Sequence, residues 1–256
     1  MGSRNVVRCQ EGNKREETVK KYIYCADFRD GLRRINDIRM VFADPPDSIG
    51  LKYKGFTDEI KNYEKLLRDI FTYSLVKSDF LWLSLNPIYT DLVGYLTYDY
   101  VKKYFDDFEF KPCIQVFTFG QHNHNDLGIS HRLLYRYMRK GVSLYPDAVR
   151  VPSWRQLNGD KRADERGKVP GDVFDFPRVT GNSKQRRSFS PTQLNEGLYE
   201  RCVKLCCKEG DKVVDLFAGS GTLGRVSDRC GVEAHMIDIS SEVCKEISKD
   251  QEAPIV

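Results

Sequence analysis

Short apolar runs separated by helical stretches recur along the first part of the chain. Apolar residues cluster at Tyr22–Ala26 and Arg39–Ala43, and a helical stretch, Asp30–Ile35, lies between them. NYEKLLRDIFTYSLV places apolar residues at helical spacing, and FLWLSL is nearly all apolar, as in a strand buried on both faces. This alternation predicts an α/β fold with a mostly parallel sheet and right-handed crossovers.

The same alternation returns near the C-terminus. LNEGLYERCVKLCC predicts a helix, GDKVVDLF a strand, the stretch through Val226–Cys230 a helix and VEAHMIDIS a last strand. From His122 to Gly171, His, Asn, Arg, Pro and Gly dominate, and no period of either kind is sustained. We therefore expect one α/β domain, residues 1–120 and 171–256, with a loop-rich insertion at 121–170.

The composition is that of an ordinary globular protein, with 40% hydrophobic and 30% charged residues. No apolar run approaches the roughly 18 residues needed to cross a bilayer, and the first residues are too polar for a signal peptide. We expect a cytoplasmic protein without membrane contact. None of the eight cysteines forms a CxxC pair and the four histidines complete no zinc spacing, which favours free thiols and no metal.

Positive charge is concentrated in one segment. The net charge is only +4, but residues 121–190 hold 14 Lys and Arg against 7 Asp and Glu, so that segment carries +7 and the rest of the chain −3. A basic segment of this kind is either a solvated face or a surface for a polyanion such as nucleic acid. Composition alone leaves both interpretations open.

A glycine turn follows the strand predicted near the C-terminus. Gly219 and Gly221 come directly after VVDLFA, and Asp238 ends the next predicted strand. Glycines let a backbone approach a ligand closely, and an acidic residue at that strand end can accept hydrogen bonds from ribose hydroxyls. Asp215, at the tip of the first strand, is placed to meet a cationic amine. GSGTLG also fits the GxGxxG pattern of dinucleotide enzymes, so the turn alone indicates only a nucleotide-binding crevice.

A stiff acidic turn follows the second predicted strand. Asp44, Pro45 and Pro46 come directly after MVFA, so the carboxylate emerges at the sheet edge where ligands bind in such folds. The two prolines leave a rigid turn with free carbonyl acceptors. A carboxylate and the Pro45 carbonyl can accept the two N–H groups of a base amine and aim its lone pair at a methyl donor. An ordinary turn at a strand end is the other interpretation of the tripeptide.

Together these segments resemble the permuted, beta-class DNA amino-methyltransferases. In that family a DPPY-type motif comes first, a recognition region follows and an FxGxG cofactor motif comes last; here the order is ADPPD, the basic segment and DLFAGSGT. GDVFDFPRV resembles the family's DVW-x-(I/F)-P-R segment, SPTQ its HPTQKP segment and YCADFRDGL its GDCLEGL. The resemblance spans nearly the whole chain. It implies a Rossmann-like methyltransferase sheet with circularly permuted motif order.

The resemblance also implies S-adenosylmethionine as the cofactor. The residues that it assigns to the cofactor site are Asp27, Thr192, Gln193, Asp215, Phe217, Ala218, Gly219, Ser220, Gly221, Thr222 and Asp238. The candidate catalytic residues are Asp44, Pro45, Pro46 and Asp47 of the DPPY-type motif, together with Tyr53 on the following loop.

One departure from the family concerns the target base. Asp47 stands where the family has an aromatic ring that stacks on the flipped base, and Tyr53 or Phe56 on the following loop is the nearest candidate to supply that ring. Asp47 itself is equally compatible with a solvated loop residue. Ser190 and the pair Leu194-Asn195 also replace the family's His and Lys-Pro.

The function implied is methyl transfer to the exocyclic amine of a base flipped out of DNA. The leading Asp of the motif favours adenine N6, and cytosine N4 is the alternative. Residues 121–170 would then recognise the target; the expected DNA contacts are His122, Arg132, Arg136, Arg150, Trp154, Arg155, Gln156, Lys161 and Arg162. A homodimer and an associated nuclease, as in restriction–modification systems, stay open.

Three other functions compete with this one. A nicotinamide or flavin enzyme would use GSGTLG but leaves DPP and SPTQ unexplained. Asp47 suggests a catalytically idle nucleic-acid-binding module, yet the retained Asp44, Asp215 and Asp238 argue against it. Methylation of RNA or of a protein amide is the third alternative; an NPP turn is usual for glutamine, so Asp44 disfavours the amide.

Overall fold

The computed structural model describes residues 19–50, 52–53, 56–57, 60–117 and 124–256. The strands are β1 (Lys21–Cys25), β2 (Ile38–Ala43), β3 (Lys52–Tyr53), β4 (Phe56–Thr57), β5 (Ser78–Leu85), β6 (Phe108–Val116), β7 (His131–Arg139), β8 (Val173–Asp175), β9 (Lys212–Asp215) and β10 (Glu233–Asp238). The α-helices are α1 (Phe28–Arg33), α2 (Tyr63–Lys77), α3 (Thr90–Leu96), α4 (Lys102–Tyr104), α5 (Trp154–Leu157), α6 (Glu196–Cys206), α7 (Thr222–Cys230) and α8 (Ser241–Gln251). Short 3₁₀ turns lie at Pro87–Tyr89 and Pro146–Val149, and a π-helical turn lies at Thr97–Val101.

Within these described ranges, eight strands form one sheet in the order β1-β10-β9-β2-β5-β7-β6-β8. All neighbouring strands run parallel except at β7, which is antiparallel to both β5 and β6. β3 and β4 pair separately as a small antiparallel hairpin. The mostly parallel α/β sheet predicted from the sequence is confirmed.

Helices cover both faces of the sheet, which gives three layers. On one face α2 packs through Leu67 and Phe71, and on the other α7 packs through Leu223. β2 lies between the layers, with Val41 directed to the α2 side and Phe42 to the α7 side. Strands buried on both faces must be apolar throughout, which is why apolar runs predicted the central strands correctly. No helix of the described chain is long and apolar enough to span a membrane.

β7 lies inside the segment that the sequence predicted as a loop-rich insertion. It pairs with β5 and β6 in the interior of the sheet, and Leu133, Tyr135 and Tyr137 bury one of its faces. The predicted boundary at residue 121 therefore does not separate two parts of the fold. The opposite face of β7 carries arginines, which make the segment polar. The sequence therefore did not indicate a strand there.

Residues 151–168, after β7, form a closed loop. Val151 and Lys168 exchange two backbone hydrogen bonds of 2.9 Å at its base. Gly167 adopts a φ of +80°, and a Cβ atom at this position would collide with the carbonyl oxygen of Val151. The closure therefore depends on glycine, and it holds the exposed residues between these ends as one compact loop, the 151–168 loop.

Candidate active site

Five parallel strands end side by side and present polar side chains along one edge of the sheet. Asp27 follows β1, Asp238 and Asp215 end β10 and β9, Asp44 follows β2 and Asn86 follows β5. Ligands of open parallel sheets bind outside the carboxyl ends of the strands. This edge is therefore the expected position of an active site.

A cavity of about 690 Å³ lies along this edge, within the usual range for small-molecule sites. The predicted site residues that line it are Asp27, Asp44, Pro45, Pro46, Asp47, Arg132, Thr192, Gln193, Asp215, Phe217, Ala218, Gly219, Ser220, Thr222 and Asp238. The two motifs near opposite ends of the chain thus face one continuous space.

Asp215 lies at the floor of the cavity, with a side chain that is almost fully buried. Its Oδ1 accepts a hydrogen bond of 3.0 Å from the backbone N–H of Phe217. Burial raises the pKa of Asp215 to about 7, against the lowering effects of the Tyr199 hydroxyl and the Phe217 N–H. A cationic ligand group would favour the ionised carboxylate and lower that pKa.

Tyr199 also lines the cavity, although the sequence analysis did not select it. It projects from α6, is only 2% exposed, and stacks on Phe42 with ring centroids 4.1 Å apart. Burial, followed by the nearby Asp215, raises the pKa of Tyr199 well above 10, so the hydroxyl stays protonated. Its oxygen lies close to Asp215 but makes no hydrogen bond of regular geometry with any described residue. A buried hydroxyl in this state is unusual, and a ligand in the cavity would supply a partner.

The glycine turn fixes Asp238. Gly219 adopts a φ of +49°, lines the cavity and donates its N–H to Asp238 Oδ2 at 3.0 Å. Asp238 Oδ1 accepts the N–H of Ser240 at 2.9 Å. Burial raises the pKa of Asp238, and these two backbone donors oppose the rise. Each carboxylate oxygen keeps a lone pair that a ligand hydroxyl can use.

Gly221 belongs to the same turn but does not line the cavity. It adopts a φ of +71° and directly precedes the first residue of α7. A Cβ atom there would collide with the side chains of Gln251 and Ile247 of α8. Its carbonyl accepts a hydrogen bond of 2.7 Å from Gln251 Nε2. Helix packing and backbone conformation account for this glycine, and its predicted contact with the cofactor stays a prediction.

Asp27 caps the first helix. Its Oδ1 accepts the N–H of Arg29 at 2.9 Å, and its Oδ2 pairs with the Arg29 guanidinium at 2.8 Å. Phe28 packs against Phe217 with ring centroids 5.4 Å apart, which gives this end of the cavity an apolar wall. Phe28 and Arg29 were not predicted, although their position directly after Asp27 at the end of β1 was a usable signal.

The SPTQ segment forms another wall of the cavity. Gln193 uses its side chain within its own loop, because Oε1 accepts the N–H of Arg187 at 3.1 Å and Nε2 donates to the Gln185 carbonyl at 2.7 Å. The Ser190 hydroxyl donates to the Thr192 carbonyl at 2.6 Å. These bonds fix the shape of the wall and engage both polar groups of the Gln193 side chain.

Arg132, at the start of β7, joins the two aspartates of the DPPD turn. Its guanidinium donates to Asp44 Oδ1 at 2.9 Å and to the two oxygens of Asp47 at 3.0 and 3.1 Å. Burial raises the pKa of Asp44, and Arg132 opposes the rise. Asp47 has a side chain only 13% exposed, so it is not a solvated loop residue. Arg132, predicted as a DNA contact, lines the cavity beside the DPPD turn.

Three other predicted DNA contacts have internal partners. Arg136 directs its guanidinium towards the Trp82 ring, 6.0 Å away, and its Nε is buried without a hydrogen-bond partner among the described residues. Arg150 donates to the Gly167 carbonyl at 2.8 Å, and Gln156 accepts the Ser153 N–H at 2.7 Å. Arg136 is partly buried beside Trp82, and Arg150 and Gln156 hold the 151–168 loop together. The predicted contacts of these three residues with DNA stay predictions.

The remaining DNA candidates in the described chain are exposed on the 151–168 loop. Trp154 is 73% exposed at the start of α5, and Arg155, Lys161 and Arg162 are exposed beside it in the sequence. His122 lies outside the described residues, as do the side chains of Tyr53 and Phe56, so their predicted roles stay predictions. Within the described ranges, no group of three or more His, Cys, Asp or Glu is arranged to hold a metal ion.

The chain is similar in sequence and in fold to known proteins. The chain is 29% identical over 231 residues to the type II methyltransferase M.HpaI of Haemophilus parainfluenzae, covering 86% of this chain and 70% of that protein. Over 78 residues it is 42% identical to the DNA adenine methyltransferase YhdJ of Escherichia coli K12, covering 30% of this chain and 26% of that protein.

The fold matches the PvuII DNA methyltransferase, which is cytosine-N4-specific, with a TM-score of 0.67 and 13% identity over 90% of this chain and 86% of that one. The model of the N6/N4 methyltransferase family, described as DNA methylase, matches residues 38–249. This match spans both the DPPD turn and the glycine turn, and it confirms the resemblance inferred from the motifs. The chain belongs to the N6/N4 family of DNA methylases.

Proposed function

We propose that this protein transfers a methyl group from S-adenosylmethionine to the N6 amine of an adenine flipped out of DNA. The observation that carries the proposal is the single cavity that joins Asp44 and Pro45 to Asp215 and Asp238. One end offers rigid acceptors for an amine, and the other offers carboxylates for a cationic nucleoside. Because the chain belongs to a family of DNA methylases, we take the amine to be that of a DNA base.

The described residues fit the proposed cofactor. The Asp238 oxygens suit two ribose hydroxyls, the Phe28–Phe217 wall suits a purine ring, and Asp215 suits an ammonium group. The buried Tyr199 hydroxyl, without a regular partner, lies beside Asp215 and would gain one. S-adenosylmethionine, when bound, supplies an electrophilic methyl group on its sulfonium.

Asp44 and Pro45 would hold the target amine. The Asp44 carboxylate accepts a hydrogen bond from Arg132 through Oδ1 and has the Ser84 hydroxyl beside it, and its two oxygens keep acceptor capacity for an amine N–H. The Pro45 carbonyl offers a second acceptor on a stiff turn. Once the nitrogen has gained a methyl group it must lose a proton, and Asp44, whose pKa is raised by burial, is the acceptor placed to take it.

Two observations support adenine over cytosine. The motif begins with Asp, which the family favours for adenine, and the relative with 42% identity over its matched part is named as an adenine enzyme. Cytosine N4 is the second candidate, because both bases place an amine beside a ring nitrogen and the fold also matches a cytosine-N4-specific enzyme. A DNA substrate in turn supports the cytoplasm as the place of action.

The 151–168 loop is the proposed DNA contact. Trp154, Arg155, Lys161 and Arg162 are exposed on it and combine a large ring with positive charges. Such charges pair with phosphates, which supply much of the affinity of proteins for DNA. The loop would hold the duplex while the flipped base occupies the cavity.

Mass spectrometry of nucleosides tests the proposed function. Plasmid DNA is incubated with the protein and S-adenosylmethionine that carries a deuterated methyl group, then digested to nucleosides. We expect deuterated N6-methyladenosine in the deoxy form. Deuterated N4-methylcytosine would change the target base, and label found only in RNA or protein added to parallel reactions would overturn the proposal.

A further inference from the structure

We propose that Tyr199 is a positioning residue for cofactor binding, whose hydroxyl donates a hydrogen bond to the ionised Asp215 carboxylate and holds it for the ammonium group. This inference rests on the proposed function, which assigns the ammonium group of S-adenosylmethionine to Asp215. It goes beyond that function because it names the side chain that keeps Asp215 ready to bind.

The register of the sheet and one ring contact bring Tyr199 to Asp215. β2 pairs with β9 so that Phe42 lies opposite Asp215, and the preceding pair, Val41 and Val214, faces the α2 layer. Because side chains alternate along a strand, Phe42 and Asp215 share the opposite face. Tyr199, on α6, stacks on Phe42 from this face, with ring centroids 4.1 Å apart and planes inclined by 27°. The ring is therefore fixed beside the carboxylate that ends β9.

The Tyr199 hydroxyl is a donor that lacks a regular acceptor. The residue is only 2% exposed, and burial, followed by the nearby Asp215, raises its pKa well above 10, so the proton stays on the oxygen. That oxygen lies close to Asp215 but makes no regular hydrogen bond with any described residue. Cys202, on the same helix, also faces it, and burial raises the pKa of this thiol, so the thiol stays neutral.

Asp215 is the expected acceptor for this hydroxyl. Its charge acts on Tyr199 more strongly than the charge of Asp44, the other carboxylate nearby. A hydrogen bond to a carboxylate is stronger than one between neutral groups. A carboxylate has about four acceptor sites, so Asp215 can accept the hydroxyl and still bind an ammonium group.

The charges around Asp215 oppose its ionisation, and the Tyr199 hydroxyl favours it. Burial raises the pKa of Asp215 to about 7, and the charges of Asp44 and Asp238 act in the same direction. The Tyr199 hydroxyl and the Phe217 N–H act against this rise. An ammonium group binds the ionised carboxylate, so a donor that stabilises this form also strengthens cofactor binding near pH 7. Without the hydroxyl, Asp215 would take up its proton at a higher pH and lose its attraction for the cofactor.

Carbon NMR of the free protein tests the contact without a cofactor. The protein carries aspartate labelled at the side-chain carboxyl carbon, and the signal missing from Asp215→Asn identifies Asp215. Tyr199→Phe removes the hydroxyl and keeps the ring on Phe42, so we expect it to fold. Tyr137→Phe is the matched control, because Tyr137 is also buried but bonds to Thr97 Oγ1 at 2.7 Å and does not line the cavity.

We expect the Asp215 carboxyl to titrate near pH 7 in the wild type and in Tyr137→Phe. In Tyr199→Phe it should titrate about one pH unit higher, because a hydrogen bond to a charged group is worth about one to two pKa units.

Cofactor affinity gives a second measurement. Isothermal titration calorimetry uses S-adenosylhomocysteine, which keeps the amino acid and the adenosine of the cofactor but has no methyl group to transfer. We expect Tyr199→Phe to bind it about 10-fold more weakly than the wild type at pH 6 and about 2-fold more weakly at pH 8, since the ionised fraction of Asp215 differs most at low pH. Tyr137→Phe should match the wild type at both pH values.

Two results would overturn the proposal. One is an Asp215 carboxyl that titrates at the same pH in the wild type and in Tyr199→Phe. The other is a loss of affinity in folded Tyr199→Phe that is equal at pH 6 and pH 8, which would indicate a direct contact with the cofactor or a purely structural role. A wild type that binds neither S-adenosylhomocysteine nor S-adenosylmethionine would instead overturn the proposed function, and the carbon NMR titration would still decide the contact between Tyr199 and Asp215.

Discussion

Asp44 directly follows β2 and Asp215 ends the neighbouring parallel strand β9, in a register that pairs Phe42 with Asp215. The two aspartates are far apart in the chain but adjacent at the sheet edge. A permuted order of motifs therefore leaves the site unchanged, because the site depends on which strands are neighbours and not on which comes first. In the proposed function, the end of the cavity that holds the amine and the end that holds the cofactor meet between these two residues.

Asp215 predicts a pH-dependent response to the cofactor. S-adenosylmethionine should raise the melting temperature of the protein more at pH 8 than at pH 6. Burial raises the pKa of Asp215 to about 7, so below that pH an ammonium group binds only after the carboxyl has released a proton. Thermal unfolding with and without the cofactor at several pH values provides the measurement.

Without the cofactor, the contribution of Asp215 to the stability of the protein should fall, not rise, as the pH increases. A carboxyl whose pKa is raised on folding contributes stability that is fully present below its unfolded value of 3.8 and is lost as the pH rises through about 7. Asp215→Asn should abolish both trends, whereas Glu209→Gln, an exposed acid on the turn before β9, should keep them. An equal cofactor effect at pH 6 and pH 8 in the wild type would contradict the assignment of Asp215.

Asp238→Ala should weaken binding of S-adenosylmethionine by about 1–3 kcal/mol, because a charged acceptor for ribose hydroxyls is lost. Isothermal titration calorimetry measures the change. Asp228→Ala serves as the control, since Asp228 is a half-exposed aspartate of α7 that does not line the cavity. Equal affinities for the wild type and Asp238→Ala would place the ribose elsewhere.

Gly221→Ala should mainly affect stability. The residue has a φ of +71° and lies against Gln251 and Ile247, so alanine there should lower the free energy of unfolding by about 1–3 kcal/mol. Denaturant unfolding gives this value, and calorimetry on the folded variant gives the cofactor affinity. A stable variant that no longer binds the cofactor would instead assign Gly221 a direct part in cofactor binding.

The fold was predictable where the sequence carried one clear period. FLWLSL and VVDLF lie in the buried interior of the sheet, and the α2 segment places Leu67 and Phe71 on one face. β7 was missed because HRLLYRYMR alternates buried residues with Arg132 and Arg136, and that polarity is also typical of loops. The partners of β7 are distant in the chain, so the local sequence did not show that Arg132 meets Asp44 and Asp47.

Only those residues of the site that belong to local sequence motifs could be predicted. Asp44, Asp215 and Asp238 each follow or end an apolar strand, and this position alone directs them to one sheet edge. Nothing local indicates that Arg132 pairs with Asp47 across 85 positions of the chain. Tyr199 lies on the buried face of α6, where an aromatic residue is ordinarily part of the core, so its position beside Asp215 required the tertiary structure.

Replacing Arg155, Lys161 and Arg162 together by serine should weaken DNA binding and flatten its salt dependence. Each lost phosphate contact should reduce the slope of log K against log salt by about 0.9. Serine at the exposed Lys103, Lys245 and Lys249 is the charge-matched control, since these residues lie outside the loop and do not line the cavity. Equal losses in both variants would indicate a general effect of net charge, and undiminished binding would place the DNA on another surface.

The most direct test of the central claim is single-turnover transfer of a labelled methyl group to duplex DNA by the wild type and by Asp44→Ala. We expect Asp44→Ala to bind S-adenosylmethionine normally and to transfer about 10²–10⁴-fold more slowly, because the amine loses its positioned acceptor. Asp91→Ala, an exposed aspartate at the start of α3, should transfer at the wild-type rate. Full activity in Asp44→Ala would contradict the account, even if the cofactor binds where we propose.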